Sequence, residues 1–333
     1  MKKIIIVTFL IVCLSAFFAF NASAKTQLTY ANFFPPTHGQ SKLAESWCKE
    51  VEKKTNGEVS IQYYPASTLL NPGTMYDGVL SGIADIGFAV LAYSRGRFPV
   101  CAGIDLPMGY TSGVQATRIA NLVYNKFQPK EFDDSELMYI HAHGPGVLHT
   151  TKKEVNSLAD MKGLKIRTTG TSGLIVDALG GSPVGKSIRE AYQLLQKGVV
   201  EGSLHPLEAN KGYKLGELTR FAVQSPACTY TTTFAVFMNK GKWAKLTPAQ
   251  KKIIKDINAE WSVKHGEVWD SDDAAGVEFF KSKGGKIVKL SVEEEAKWKE
   301  AVAPVYDTYI KKAAAHKHKV DGKAIIDFIK ANM

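Results

Sequence analysis

Short strand-like runs that alternate with helix-spaced stretches constrain this chain more than any other feature. Residues 27–32 read as a strand leading into the turn 33–38, and 41–54 place Leu43, Trp47 and Val51 on one helical face. Asn56-Gly57 marks a turn before the alternating run 59–64. A short helix over 75–81 then precedes a strand at 84–89. The cycle recurs, with strands expected at 138–143, 147–150 and 164–167, helices at 172–179 and 188–197, and a strand at 203–205. A threonine-rich strand over 229–238 comes next, followed by one or two long helices between 243 and about 274, for which Thr247-Pro248 supplies N-cap and first-turn proline. Residues 286–290 form a late strand, and the tail from Val292 is helical, with Ser291 and Glu294 spaced as a capping box. Such alternation predicts an α/β protein with βαβ units, a mainly parallel sheet and a ligand cleft at the carboxyl ends of the strands.

The amino terminus reads as a secretory signal peptide over 1–24. Lys2 and Lys3 precede an apolar run from Ile4 to about Phe20, and Asn21-Ala22-Ser23-Ala24 ends in small residues, so a cut before Lys25 is expected. A membrane anchor is the alternative, because roughly seventeen apolar residues approach the minimum for a bilayer span. Later apolar runs are broken by Gly, Lys or Asp, so the mature protein is expected to be soluble and periplasmic. With the first 24 of 333 residues removed, some 309 remain, more than one domain usually holds.

The formal charge of +10 falls to about +8 once the two leader lysines go. The basic residues are scattered, and the densest group (Lys311, Lys312, His316, Lys317, His318, Lys319) reads as a solvated helix end. The balance therefore points to anions rather than nucleic acid. Cys13 leaves with the leader, and the odd number that remains (Cys48, Cys101, Cys228) suits buried small hydrophobes better than a disulfide framework.

Catalytic signatures are missing. The chain contains no G-x-S-x-G elbow, P-loop, dinucleotide fingerprint or metalloprotease helix, and no cysteine or histidine spacing suited to a metal, so neither catalytic residues nor a cofactor is expected. Gly144-Pro145-Gly146 lacks the Lys-Ser/Thr pair of a phosphate cradle, and the acidic clusters at 133–134 and 270–273 lack calcium-loop spacing. Arg167 stands out at a strand end, ahead of the glycine-containing stretch 168–173 that includes Gly170. It is either a carboxylate clamp facing a cleft or an exposed arginine in a surface ion pair. His205 is a core or turn residue, or else a cleft donor that titrates near neutral pH. Phe33, Phe34, Tyr93 and Tyr230 each sit at a strand exit, where one of them alone would be core and all four together could wall an apolar pocket.

Several stretches carry a family resemblance. Ser157-Leu-Ala-Asp-Met-Lys-Gly-Leu-Lys-Ile-Arg167 and Glu190-Ala-Tyr-Gln-Leu-Leu-Gln-Lys-Gly-Val-Val-Glu-Gly202 resemble signatures of the DctP-type substrate-binding proteins of TRAP (tripartite ATP-independent periplasmic) transporters. Gly82-Ile-Ala-Asp-Ile-Gly87, Arg97-Phe-Pro99 with Leu106-Pro107, and Met238-Asn239-Lys240 through Trp243 to Leu246 follow in family order. The resemblance implies a two-domain periplasmic binding protein fold with a hinged cleft and a long helix spanning both domains. Residues 25–147 with about 234–275 would form one domain, and 148–233 with about 276–333 the other. It also implies small and large membrane permease subunits as partners, and it assigns Arg167 to the ligand's carboxylate.

The chain departs from the sialic-acid-binding members of that family. His205 stands where they carry an asparagine, Val147 where they carry a second arginine, and Phe33, Val90 and Tyr93 replace polar groups, with Ile188 at a further pocket position. A sugar acid would leave hydroxyls unpaired there, at roughly 1–3 kcal/mol for each buried group. The expected cargo is a monocarboxylate such as a 2-oxo, 2-hydroxy or aromatic acid, held by Arg167 with His205 and Thr231 or Thr232 adding hydrogen bonds. A small sulfonate is an alternative ligand, and an exported lyase or hydrolase is the alternative class.

Overall fold

The computed structural model describes residues 25–333, so the expected leader lies outside the described residues. The chain opens with β1 (Thr26–Ala31), α1 (Gly39–Lys54), β2 (Val59–Tyr64), α2 (Met75–Leu80), β3 (Ile86–Val90), α3 (Cys101–Ile104), α4 (Gly113–Phe127) and β4 (Ser135–Ala142). It continues through β5 (Gly146–Thr150), β6 (Lys165–Thr168), α5 (Ser172–Ala178), β7 (Ser182–Gly185), α6 (Ile188–Gln196), β8 (Gly202–Pro206), α7 (Ala209–Gly212) and β9 (Phe221–Gln224). β10 (Thr233–Asn239), α8 (Lys240–Ala244), α9 (Pro248–Ser282), β11 (Lys286–Lys289), α10 (Val292–Val302), α11 (Pro304–Ala315) and α12 (Gly322–Asn332) complete it.

These strands form two sheets, ordered β2-β1-β3-β10-β4 and β11-β9-β5-β8-β6-β7. Both are mixed, which corrects the expectation of a mainly parallel sheet. β10 runs antiparallel to β3 and β4, and β5 runs antiparallel to β8 and β9. The physical reason is the chain crossing: β10 enters its sheet from the other one, and β5 leaves β4 after only three residues, so neither has a helix to reverse it. The expected crossover at 147/148 falls inside β5, and the expected helix over 41–54 begins two residues earlier, at Gly39. Helix α4 and strands β7 and β9 add elements that the periodicity had not suggested.

Each sheet carries its own core. Leu28, Trp47, Val51, Phe88, Ile140 and Trp261 pack in the first, with Tyr30 edge-on to Trp47 at 5.8 Å between centroids. Leu148, Ile166, Leu204, Val223, Trp298 and Val302 pack in the second. Apolar burial of this kind contributes roughly 25 cal/mol per Å².

Helix α9 ties the two together. Its 35 residues extend about 52 Å at 1.5 Å per residue. Ile254, Ile257, Trp261, His265, Trp269, Asp273, Gly276 and Phe280 recur every three or four positions and bury one face. Thr247 accepts from Gln250 N at 3.2 Å, and Gln250 Oε1 accepts from Thr247 N at 3.0 Å, so the expected proline-led start is a full capping box. The Ser291–Glu294 box is only half made, because Glu294 Oε2 instead accepts from Leu158 N at 2.8 Å. Farther along α9, a Cβ at Gly276 would lie 2.1 Å from the Leu207 carbonyl oxygen, so only glycine lets the helix touch the exit of β8. No helix among the described residues is long and apolar enough to cross a membrane.

Candidate ligand-binding site

The exits of β1 and β3 from one sheet face the ends of β6 and β8 from the other. Between them lies a narrow cavity. Phe33, Phe34 and Val90 line it from the first side and Arg167, Leu204 and His205 from the second. Tyr93, Ile188, Tyr230 and Thr232 complete the part of its wall named from the sequence.

Arg167 decides the chemistry. It stands in β6, paired with Val184 of β7 and Ser203 of β8, and is 2% exposed. Nε donates to the Lys186 carbonyl at 2.8 Å and Nη1 to the Leu204 carbonyl at 3.2 Å. Nη2 donates to Thr169 Oγ1 at 2.6 Å and to the Tyr93 hydroxyl at 3.5 Å. Every one of these acceptors is neutral, and among the described residues no carboxylate lies within ion-pair distance of the guanidinium. A charge taken out of water without a counter-ion is costly, whereas an anion in the cavity would turn it into a charge-assisted pair. The surface-ion-pair reading of Arg167 is therefore incorrect.

His205 is buried at 1% exposure, and neither ring nitrogen has a partner. Its ring stacks on His149 at 3.7 Å, and the available amide, Asn210 Nδ2, donates to His149 Nε2 instead. Burial first, then the His149 and Arg167 charges, hold its pKa well below the ordinary 6.5. The imidazole is thus neutral at neutral pH, which corrects the expectation that it titrates there. It offers one N–H donor and one lone pair to whatever occupies the cavity.

The aromatic side is rigid. Phe34 stacks against Phe33 and His38, each at 4.3 Å, and sits 5.9 Å from Trp269. The Tyr93 hydroxyl accepts from Ile188 N at 2.8 Å, a hydrogen bond across the cleft. Arg189 adds two more, donating to the Phe33 carbonyl at 3.0 Å and to Ser67 Oγ at 3.2 Å. The two units are therefore closed on the cavity.

Two candidates lie elsewhere. Thr231 is fully buried behind the wall, and its hydroxyl donates to the His143 carbonyl at 2.6 Å, so only its neighbour Thr232 reaches the cavity. Gly170 is exposed at the cleft mouth with φ of 52°, where a Cβ would lie 2.5 Å from Ala92 Cβ. It does not line the cavity. Val147 packs with Leu207, Ala222 and Phe280, away from the site. Periodicity missed His143, Thr169, Glu208, Tyr213, Phe234 and Trp269. Trp269 is reached only because α9 crosses from one unit to the other, and Glu208 stands three residues beyond His205, so that histidine was its one local signal.

The fold agrees with that of known proteins. The family model for bacterial extracellular solute-binding protein, family 7 (DctP) matches residues 30–312. The chain belongs to this DctP family. It is similar to a TRAP periplasmic solute-binding protein from Desulfovibrio salexigens crystallised as an open complex (TM-score 0.80, 33% identity, covering 93% of this chain and 96% of that one). A marine-metagenome TRAP solute-binding protein, specific for aromatic acid ligands and solved with metahydroxyphenylacetate, superposes with a TM-score of 0.86 at 28% identity over 92% and 98% of the two chains. The sialic acid-binding periplasmic protein SiaP of Vibrio cholerae is 24% identical over 93% of this chain and 95% of its own. The DctP protein described here is thus a TRAP-type solute receptor and not an enzyme.

Proposed function

We propose that the protein captures a small monocarboxylate with a compact or aromatic body in the periplasm and delivers it to the small and large TRAP permease subunits. The observation that carries this reading is the Arg167 guanidinium, buried and held only by neutral acceptors. It fixes the acid head, His205 and the Tyr93 hydroxyl add hydrogen bonds, and Phe33, Phe34 and Ile188 cover the body. One fixed cation among aromatic walls suits one negative charge and few hydroxyls, unlike a sugar acid. The aromatic-acid ligand of the marine relative is consistent with this choice. Closure through Tyr93 and Arg189 then follows if ligand binds the closed state better than the open one.

Calorimetry on the mature protein tests the reading with benzoate, mandelate, pyruvate, benzenesulfonate and N-acetylneuraminate. A monocarboxylate should bind, and Arg167→Ala should weaken it by about 100-fold or more, near 2.7 kcal/mol. Unchanged affinity in that variant removes Arg167 from the role, and preferred binding of the sulfonate or the sugar acid replaces the ligand class.

A further inference from the structure

The cavity has a second polar group that capture of an acid head leaves unused. Tyr213, just after α7, lines the same space as Arg167. The residue as a whole is half-buried, but its hydroxyl oxygen is buried and has no hydrogen-bond partner. Burial, with the Glu208 carboxylate adding to it, holds this phenol above its ordinary pKa, so it keeps its proton. A buried O–H without an acceptor forfeits the bonds it makes to water, and few such groups persist without a use.

Its surroundings state what it can accept. Tyr213 packs against Phe34 at 6.2 Å and His38 at 5.7 Å between centroids. His38 Nδ1 accepts from Gln40 N at 3.2 Å, which places the imidazole proton on Nε2, and Nε2 donates to Glu208 Oε2 at 2.8 Å. The Glu208 backbone N–H donates to Asp273 Oδ1 at 2.7 Å. The Glu208 carboxylate is thus pinned in the cavity wall next to Tyr213 by the His38 imidazole. An anionic group brought to Tyr213 would meet that carboxylate, whereas an uncharged oxygen would not.

Resting on the monocarboxylate reading above, we propose that Tyr213 is a specificity residue. Its hydroxyl hydrogen-bonds a neutral oxygen substituent on the ligand body, and Glu208 beside it rejects a second acid group. The receptor therefore prefers hydroxylated or carbonyl-bearing monoacids over their bare counterparts, and over diacids of the same size.

Two matched sets read this out by calorimetry: benzoate against its three monohydroxy derivatives and isophthalate, and butanoate against 3-hydroxybutanoate and succinate. Wild-type protein should bind the best hydroxylated member of a set about 10-fold or more tighter than the bare acid, and the diacid not measurably. Tyr213→Phe should lose the preference, binding the hydroxylated and bare acids within about threefold of each other, and Glu208→Gln should gain binding of the diacid. Thermal unfolding of the ligand-free variant separates a structural role, because deleting an unpartnered hydroxyl should leave the melting temperature equal or higher. A preference that survives in Tyr213→Phe, or that is absent from wild type, overturns the assignment and leaves the monocarboxylate reading standing. Failure of every monoacid to bind overturns that reading, and this inference with it.

Discussion

The two walls of one cavity are built on opposite principles. On the side of the first sheet, Phe33, Phe34 and Val90 are core residues that happen to face the cavity, and each belongs to the continuous cluster beneath β1 and β3. On the side of the second sheet, Arg167 and His205 are buried polar groups whose bonding capacity the fold leaves partly unmet. The first wall stabilises the protein whether or not ligand is present. The second carries a burial cost that an anion in the cavity would offset.

The largest expected effect comes from breaking the apolar wall. Phe34→Ala removes a side chain packed against Phe33, His38, Phe88 and Trp269, and should cost about 3–5 kcal/mol of stability in chemical denaturation. Arg167→Met should act differently on the other wall. Loss of the unpaired charge and loss of its hydrogen bonds to the Lys186 and Leu204 carbonyls and Thr169 oppose each other, so the ligand-free protein should not unfold at markedly lower denaturant, while ligand no longer raises its melting temperature. A marked loss of stability in that variant would mean that Arg167 serves the fold and not the cargo.

Titration sharpens the same contrast. Burial pulls His143 down to about 4 and His149 and His265 down to about 3, below the 6.5 of an unfolded chain. The unfolded state therefore binds protons first, so the stability these residues hold above about pH 6.5 is lost as pH falls towards 4. Asp105 acts in the other direction. Burial pushes its carboxyl up to about 7, against hydrogen bonds from Thr233 that lower it, so the folded state takes up the proton first. Asp105→Asn should accordingly stabilise the protein relative to wild type increasingly from pH 4 to 7, with a plateau above. A pH-independent difference would contradict burial as the cause. The smallest effect is expected at the cleft mouth, where Gly170→Ala places a Cβ against Ala92 and should weaken ligand binding by about tenfold or less with little change in the hydrophobic cores.

The contrast between the walls also explains what could be read in the chain. Arg167 and the β6 motif were legible because one short segment holds both the strand and the cation. The aromatics at strand exits were legible because apolar runs end there. Thr231 and Thr232 were not separable, since they precede β10 and no alternation assigns their faces. Tyr213 left no mark in the sequence and Glu208 only its nearness to His205, because their placement side by side depends on His38, about 170 residues from Glu208, which only folding brings to 2.8 Å from it. The mixed sheets were missed for a similar reason: strand direction at β5 and β10 depends on the crossing between units, and crossing leaves no periodic mark.

The central claim is that the buried guanidinium requires a charged partner which the ligand supplies. Calorimetry with the tightest-binding monocarboxylate and its primary amide isolates that term, since the two share a body and differ at the head group. The acid should bind at least 100-fold more tightly than the amide in wild type, and Arg167→Met should bring the two within about threefold. Equal affinity of acid and amide for the wild-type protein would contradict it.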